Sequence, residues 1–283
     1  MSKYYYLIAG LADLSFDEGF QLSDMDGIRQ EIIQGVSGSD RRLLELPLLE
    51  NDCRRLAALL EGKDIEGMPS GLMDGSLLQE TIDSAKADEA CPAGVPAFMY
   101  DIACNCVQMD SVKDMGIQDM LLVGFYKYGM ACGNPFVHDW FEFNLDLNNV
   151  RVAMTARKYG LDIRKAVTGD NETAQQLRSS GARDWGLSGQ LDFFDELQRI
   201  SEEQDLTRRE KMIDMMRWRW LEANSFSSFF SVEVLFSYLE SICKQYLYDD
   251  KDGVHDPEGV ALYERDYVCE GISYDTVSEL DYL

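Results

Sequence analysis

Residues 134–160 read NPFVHDWFEFNLDLNNVRVAMTARKYG, and this stretch decides the fold. Phe136, Trp140, Phe143, Leu147, Val150 and Met154 recur at spacings of four, three, four, three and four. That is the period of one apolar helical face. The helix is expected to follow Asn134-Pro135, to run to about Lys158 and to end at Gly160. Asp146, Asn149 and Arg157 fall off the stripe. They read either as a buried polar cluster that fixes helix register or as part of an interface.

Upstream, Met120 to Cys132 is the longest apolar run, interrupted by Lys127 and too short to span a bilayer, and it reads as a buried helix. Leu49, Cys53, Leu56 and Leu60 repeat at four, three and four, with Pro47 suited to a first helical turn and Gly62 to a stop. Ser76 and Gln79 stand at capping-box spacing, opening a short helix to about Ala87. The stretches from Gly62 to Gly75 and from Asp88 to Pro96 read as loops. Tyr4 to Ala9 suits an extended segment or a short helix.

Downstream, Thr168-Gly-Asp-Asn opens a new region. Thr207 and Glu210 suggest a second capping box before a helix with Ile213, Met216 and Trp220 inward. Ser231 is expected to cap a helix burying Leu235, Leu239, Ile242 and Tyr246. An acidic loop over Asp249 to Asp256 and a last helix to about Glu270 complete the chain. No solenoid-type repeat occurs. The expected fold is an all-α multi-helix bundle, with an N-terminal region over 1–110 and a C-terminal region over 111–283, or one continuous domain.

The 51 acidic residues against 26 basic ones give a formal charge of −25. Such a surface repels phosphate backbones and anionic headgroups, so neither nucleic acid nor a membrane surface is an expected partner. Residues 1–150 carry 25 acidic and 10 basic side chains, 151–219 carry 12 and 13, and 220–283 carry 14 and 3. Any face that accepts an acidic partner is therefore expected in the middle stretch. Arg208, Arg209, Lys211, Arg217 and Arg219 are read as the cationic outer face of the 207–223 helix. Trp218 and Trp220 lie between them, and Arg and Trp are common interface anchors.

Signs of chemistry are few. The start, Met-Ser-Lys-Tyr-Tyr-Tyr, does not resemble an export signal, and the seven cysteines are expected as reduced thiols of a cytoplasmic protein. His138 reads as a partly exposed helical residue. Around His255, placing Gly253 at the sixth position of a calcium loop puts Tyr248 first and Gly259 twelfth, where carboxylates are needed. Cys104-x-Cys106 lacks a second pair at zinc spacing. Neither a phosphate loop nor a nucleophile elbow occurs, and Gly181-Ala-Arg-Asp-Trp-Gly186 reads as a turn. No catalytic, cofactor-binding or metal-ligating residue is expected.

The stretch Trp140 to Gly160, with Asp146, Asn149 and Arg157, resembles the Asp/Asn/Arg-bearing helix of the C (or d) subunit of V/A-type rotary ATPases. Residues Met215 to Glu222 and Phe229 to Leu239 are similar to that family's C-terminal helical region. The opening Tyr-Tyr-Tyr-Leu-Ile-Ala-Gly-Leu11 with Asp13 is similar to a divergent bacterial branch encoded beside rotary ATPase subunits. The resemblance implies an all-helical protein that, like the C (or d) family, sits between central stalk and membrane rotor ring and passes torque without chemistry. Its partners would be other ATPase subunits, and it would lie in the cytoplasm, peripheral to the inner membrane. A free-standing acidic helical adaptor for a basic partner is the alternative.

Overall fold

The computed structural model describes residues 4–14, 16, 25–108, 116–226 and 228–245, and of residues 25, 26 and 243–245 the backbone alone. The described chain holds twelve helices and no strand: α1 (Tyr5–Ala9), α2 (Met25–Gln34), α3 (Ser39–Leu60), α4 (Gly75–Ala87), α5 (Ala97–Gln108), α6 (Ile117–Met130), α7 (Pro135–Tyr159), α8 (Ile163–Ala166), α9 (Glu172–Ser179), α10 (Phe194–Ile200), α11 (Leu206–Ser225) and α12 (Val232–Gln245). The fold is all-α as expected. No helix among the described residues is long and apolar enough to cross a membrane. The acidic loop, the last helix, Tyr246, His255, Cys269 and the Cys243 side chain lie outside what is described.

The start of α7 follows from local chemistry. Asn134 accepts from the Val137 amide at 3.1 Å, and Pro135 takes the first turn, where no amide donor is needed. Gly160, at φ +70, ends the helix in the left-handed conformation. The single stripe, however, understates the burial. Thirteen residues of α7 are buried, among them Phe141, Asn144, Leu145, Asp146, Asn148 and Asn149 off the stripe. The reason is placement: α6, α8, α9, α10 and α11 all pack against this helix, so hardly any face is left to solvent.

Two large apolar clusters meet along α7. One gathers residues from Tyr4 to Leu145 and again from Leu221 to Ile242, so α12 closes over the N-terminal helices. The other lies between Leu147 and Met216. In the first cluster α6 approaches α7 at Gly129, where an added Cβ would lie 2.6 Å from the Phe141 ring. Only a glycine admits that ring.

Three local expectations are corrected. Helix α3 begins at Ser39, not near Pro47, and Pro47 is buried inside it. The proline withholds one backbone donor, but burial of Leu43, Leu44, Leu46, Leu49 and Leu56 carries the helix through. Helix α4 is capped by Asp74, which accepts from the Leu77 amide at 2.8 Å and from the Ser76 hydroxyl at 2.7 Å, while Gln79 turns to Asp83. Helix α11 is capped by Asp205 at the Arg208 amide, 3.0 Å, leaving Glu210 free of capping duty. In both cases a carboxylate at the helix entrance displaces the hydroxyl chosen from spacing. Tyr4 to Ala9 resolves to a helical turn, with the Tyr4 hydroxyl donating to Asp40 at 2.5 Å.

The loop between α3 and α4 is clasped from within the helix. Fully buried Asp52 accepts from the Leu72 amide at 2.7 Å and the Met73 amide at 3.3 Å, and pairs with Arg55 at 3.3 Å. A Cβ on Gly71 would fall 2.0 Å from its Oδ1, so the loop passes only as glycine. Burial pushes the Asp52 carboxyl up to about 6, against the pull of those amides and Arg55.

Candidate functional site

Asparagine and aspartate are poor helix formers, because their side chains compete for backbone hydrogen bonds. Four of them, Asn144, Asp146, Asn148 and Asn149, nevertheless sit in the middle of α7 and are all buried. Their partners explain the placement.

Asn149 pairs with Thr168 as one strand residue would with another. Its Nδ2 donates to the Thr168 carbonyl and its Oδ1 accepts from the Thr168 amide, each at 2.9 Å. Asp146 accepts from Asn171 at 2.7 Å and also from the Thr173 hydroxyl. Asn171 is itself the cap of α9, accepting from Ala174 at 3.1 Å. Burial pushes Asp146 up to about 6, helped by the like charge of Glu142 one turn away and opposed by the two donors. Arg157 lies over the Trp185 ring at 3.5 Å and forks onto the carbonyls of Ala182 and Arg183. The turn it grips is strained: buried Trp185 has φ +52, costly for a residue with a side chain. Asp146, Asn149 and Arg157 thus hold the 160–186 segment to α7 at three successive levels.

Arg217 is placed otherwise than expected. It is not on a cationic outer face but buried, 2% exposed, between α11 and α7. Its guanidinium donates to Asp214 at 2.7 Å, to Asn144 at 3.0 Å and to Asn148 at 3.3 Å. Asn148 in turn donates to the Tyr126 hydroxyl on α6 at 2.8 Å. The reason lies in the partners: a carboxylate and two amide oxygens replace the water that an arginine loses on burial. The tryptophans are also withdrawn from the surface. Trp218 is buried with Phe16 against it at 5.7 Å. Trp220 is half-buried, stacked on Phe143 at 5.4 Å and flanked by Trp140 and Phe136. Of the remaining cations, Arg208 pairs with Glu203 at 3.3 Å and Arg219 with Glu196 at 2.8 Å, both exposed. Arg209 is half-buried and engaged, and Lys211 faces the Phe16 ring at 5.8 Å.

Several members of this network do not follow from spacing. Arg151 donates to both carboxylate oxygens of buried Glu210, at 3.0 and 3.1 Å. Arg178 donates to the carbonyls of Val167 and Gly169 at 2.6 and 2.7 Å. The signal in the sequence was the cluster of polar residues in mid-helix, which demands internal partners.

Chemistry elsewhere is sparse among the described residues. His138, Asp139 and Glu142 bring ligand atoms within 4.8 Å of one another, but His138 and Asp139 are 44% and 64% exposed, as on a solvated helix face. Cys53, Cys91, Cys104, Cys106 and Cys132 are free thiols. Burial raises the pKa of Cys53, Cys91 and Cys106, which keeps them protonated and poorly nucleophilic. Cys104 and Cys106 stand two apart on α5 and so point to different sides of it.

A family model described as "Protein of unknown function (DUF2764)" matches residues 1–253. No curated protein matches the chain.

Proposed function

We propose that this chain, which belongs to the DUF2764 family, is a non-catalytic component of a bacterial V/A-type rotary ATPase that, like the C (or d) family, couples the central stalk to the membrane rotor. One observation carries the reading. The residues on which the resemblance rests, Asp146, Asn149 and Arg157, are spent on fixing α7 against the segment that follows it. A torque-passing element needs helices that cannot slip, and directional bonds, buried at Asp146 and Asn149 and exposed at Arg157, supply that better than apolar contact alone. The same groups are thereby committed to their partners.

The test is calorimetric titration of the purified chain into reconstituted central-stalk subunits, and separately into the rotor ring, of its own organism's rotary ATPase. A stoichiometric complex is the expected result. Failure to bind stalk and ring in any combination would overturn the coupling role.

The formal charge of −25 favours one second reading, a free-standing adaptor for a basic partner. It predicts binding outside the ATPase that weakens steeply with salt.

A further inference from the structure

Many cations of this acidic chain are neutralised where they stand. In the N-terminal helices and the loop after α3, Arg41, Arg54, Arg55, Lys63 and Lys86 each meet a carboxylate at 2.6 to 3.7 Å. On α11, Arg208, Arg217 and Arg219 do the same. The cations of the middle stretch that could take an acidic partner are therefore not those three.

At the C-terminal end of α7 the pattern changes. Arg157 and Lys158 on its last turn, Arg164 and Lys165 on α8, and Arg183 in the turn after α9 are all exposed. Among the described residues none of the five makes an ion pair; those of the region join Lys127 to Asp170 and Arg151 to Glu210. Backbone carbonyls gather the arginines instead. Arg157 donates to Ala182 and Arg183, and Arg164 donates at 3.3 Å to Arg178, a few residues earlier on the same segment. A neutral carbonyl orients a guanidinium and leaves its net charge in place. Two carboxylates share this end, and both are turned to backbone amides: Asp162 to Arg164 and Asp184 to Gly186, each at 3.0 Å. The α7 dipole favours cations at Arg157 and Lys158, but Arg183 sits in a turn and ends no helix.

We propose that this basic end of α7, with Arg157, Lys158, Arg164, Lys165 and Arg183, is a docking surface for an acidic patch on a protein partner. The proposal rests on the coupling reading above and adds which end of the molecule meets the assembly. Charge decides among occupants. With a formal charge of −25 the chain as a whole repels an acidic body, so approach is favoured where unneutralised cations stand together. Nucleic acid or an anionic bilayer extends past five side chains and would meet the acidic remainder. A second copy would set these cations against one another across a symmetric interface. A protein whose negative charge is confined to one patch meets the cations alone.

The experiment titrates the full-length chain and its Arg164→Glu/Lys165→Glu variant into the reconstituted stalk and ring subunits at about 0.05 and 0.3 M salt. The variant is expected to bind about tenfold more weakly or worse at the lower salt, with the gap narrowing at the higher. Arg42→Glu, which reverses an exposed cation on α3, is expected to bind as the wild type does. Should the double variant melt lower, Arg183→Glu in the exposed turn reads the same loss of affinity. An equal loss in Arg42→Glu would show that net charge alone acts, and overturns the docking surface. Equal affinity of wild type and all variants also overturns it and leaves the coupling role standing. No binding by the wild type overturns both. Wild-type binding to a short DNA duplex that the double variant loses reassigns these cations to phosphate and overturns the protein partner.

Discussion

The two halves of α7 are built by different rules. From Pro135 to Leu145 the helix is held mainly by rings: Phe141 packs on Phe125 at 5.1 Å and Tyr126 at 6.0 Å, and Trp140 on Trp220 at 5.4 Å. From Asp146 to Tyr159 it is also held by directional bonds, to Thr168, Asn171, Glu210 and the 182–185 turn. Ring packing fixes distance and volume, and it accepts another side chain of similar size. A buried amide or carboxylate fixes direction, and it accepts nothing that leaves its partner bare. The first half therefore sets how closely helices lie, and the second sets how they are turned.

Arg217 joins the halves, and breaking it is the largest expected effect. Arg217→Ala takes the guanidinium from buried Asp214, Asn144 and Asn148 together and is expected to cost about 3–5 kcal/mol in a denaturant melt. A loss below about 1 kcal/mol would mean that the network does not bear on stability. Next comes a pH effect. The Asp146 carboxyl, raised from 3.8 to about 6, contributes stability that is fully present below the unfolded value and lost as pH rises through 6. Up to about 3 kcal/mol is at stake, at about 1.4 kcal/mol per unit. Melting temperature should fall between pH 5 and about 7 in the wild type and fall less in Asp146→Asn. Asp52, raised to about 6 as well, keeps part of the slope in the variant. Parallel profiles would show that Asp146 titrates as it does in water.

Two swaps of like size test the contrast between the halves directly. Asn149→Leu leaves the Thr168 amide and carbonyl unpaired and should cost about 2 kcal/mol. Leu145→Met, on the ring-packed side, should cost less than about 1.5 kcal/mol. Equal costs would erase the distinction. The smallest effect is Arg157→Lys, which keeps the charge but loses the flat stack on Trp185 and one arm of the fork. About 1 kcal/mol is expected from thermal melts.

What could be read from the sequence was whatever short-range chemistry decides. Asn134, Pro135 and Gly160 bound α7 by interactions within four residues, and so its ends were legible. Pro47 misled because the burial of leucines on both sides of it outweighs one missing donor, and burial is not local. Glu210 looked like a capping partner of Thr207, yet its real partner, Arg151, is 59 residues away. Arg217 looked like surface because its neighbours in the chain are charged, whereas Asn144 lies 73 residues off. Spacing on one helix gives no information about what a second helix will present to it. The exposure of the Phe226 and Phe229 rings was illegible for the same reason, since aromatic residues are by default expected inside.

The shared membership of α7 in both apolar clusters has a consequence for how such a chain can vary in length. Each helical residue turns the next by about 100° and advances it by 1.5 Å. One residue inserted between Leu145 and Asp146 would leave the rings seated and swing every bond beyond them a quarter-turn or more away from its partner. No compensating change at a single position could restore them together. Insertions and deletions among relatives of this chain are therefore expected in the connections between helices, while α7 keeps its count of residues.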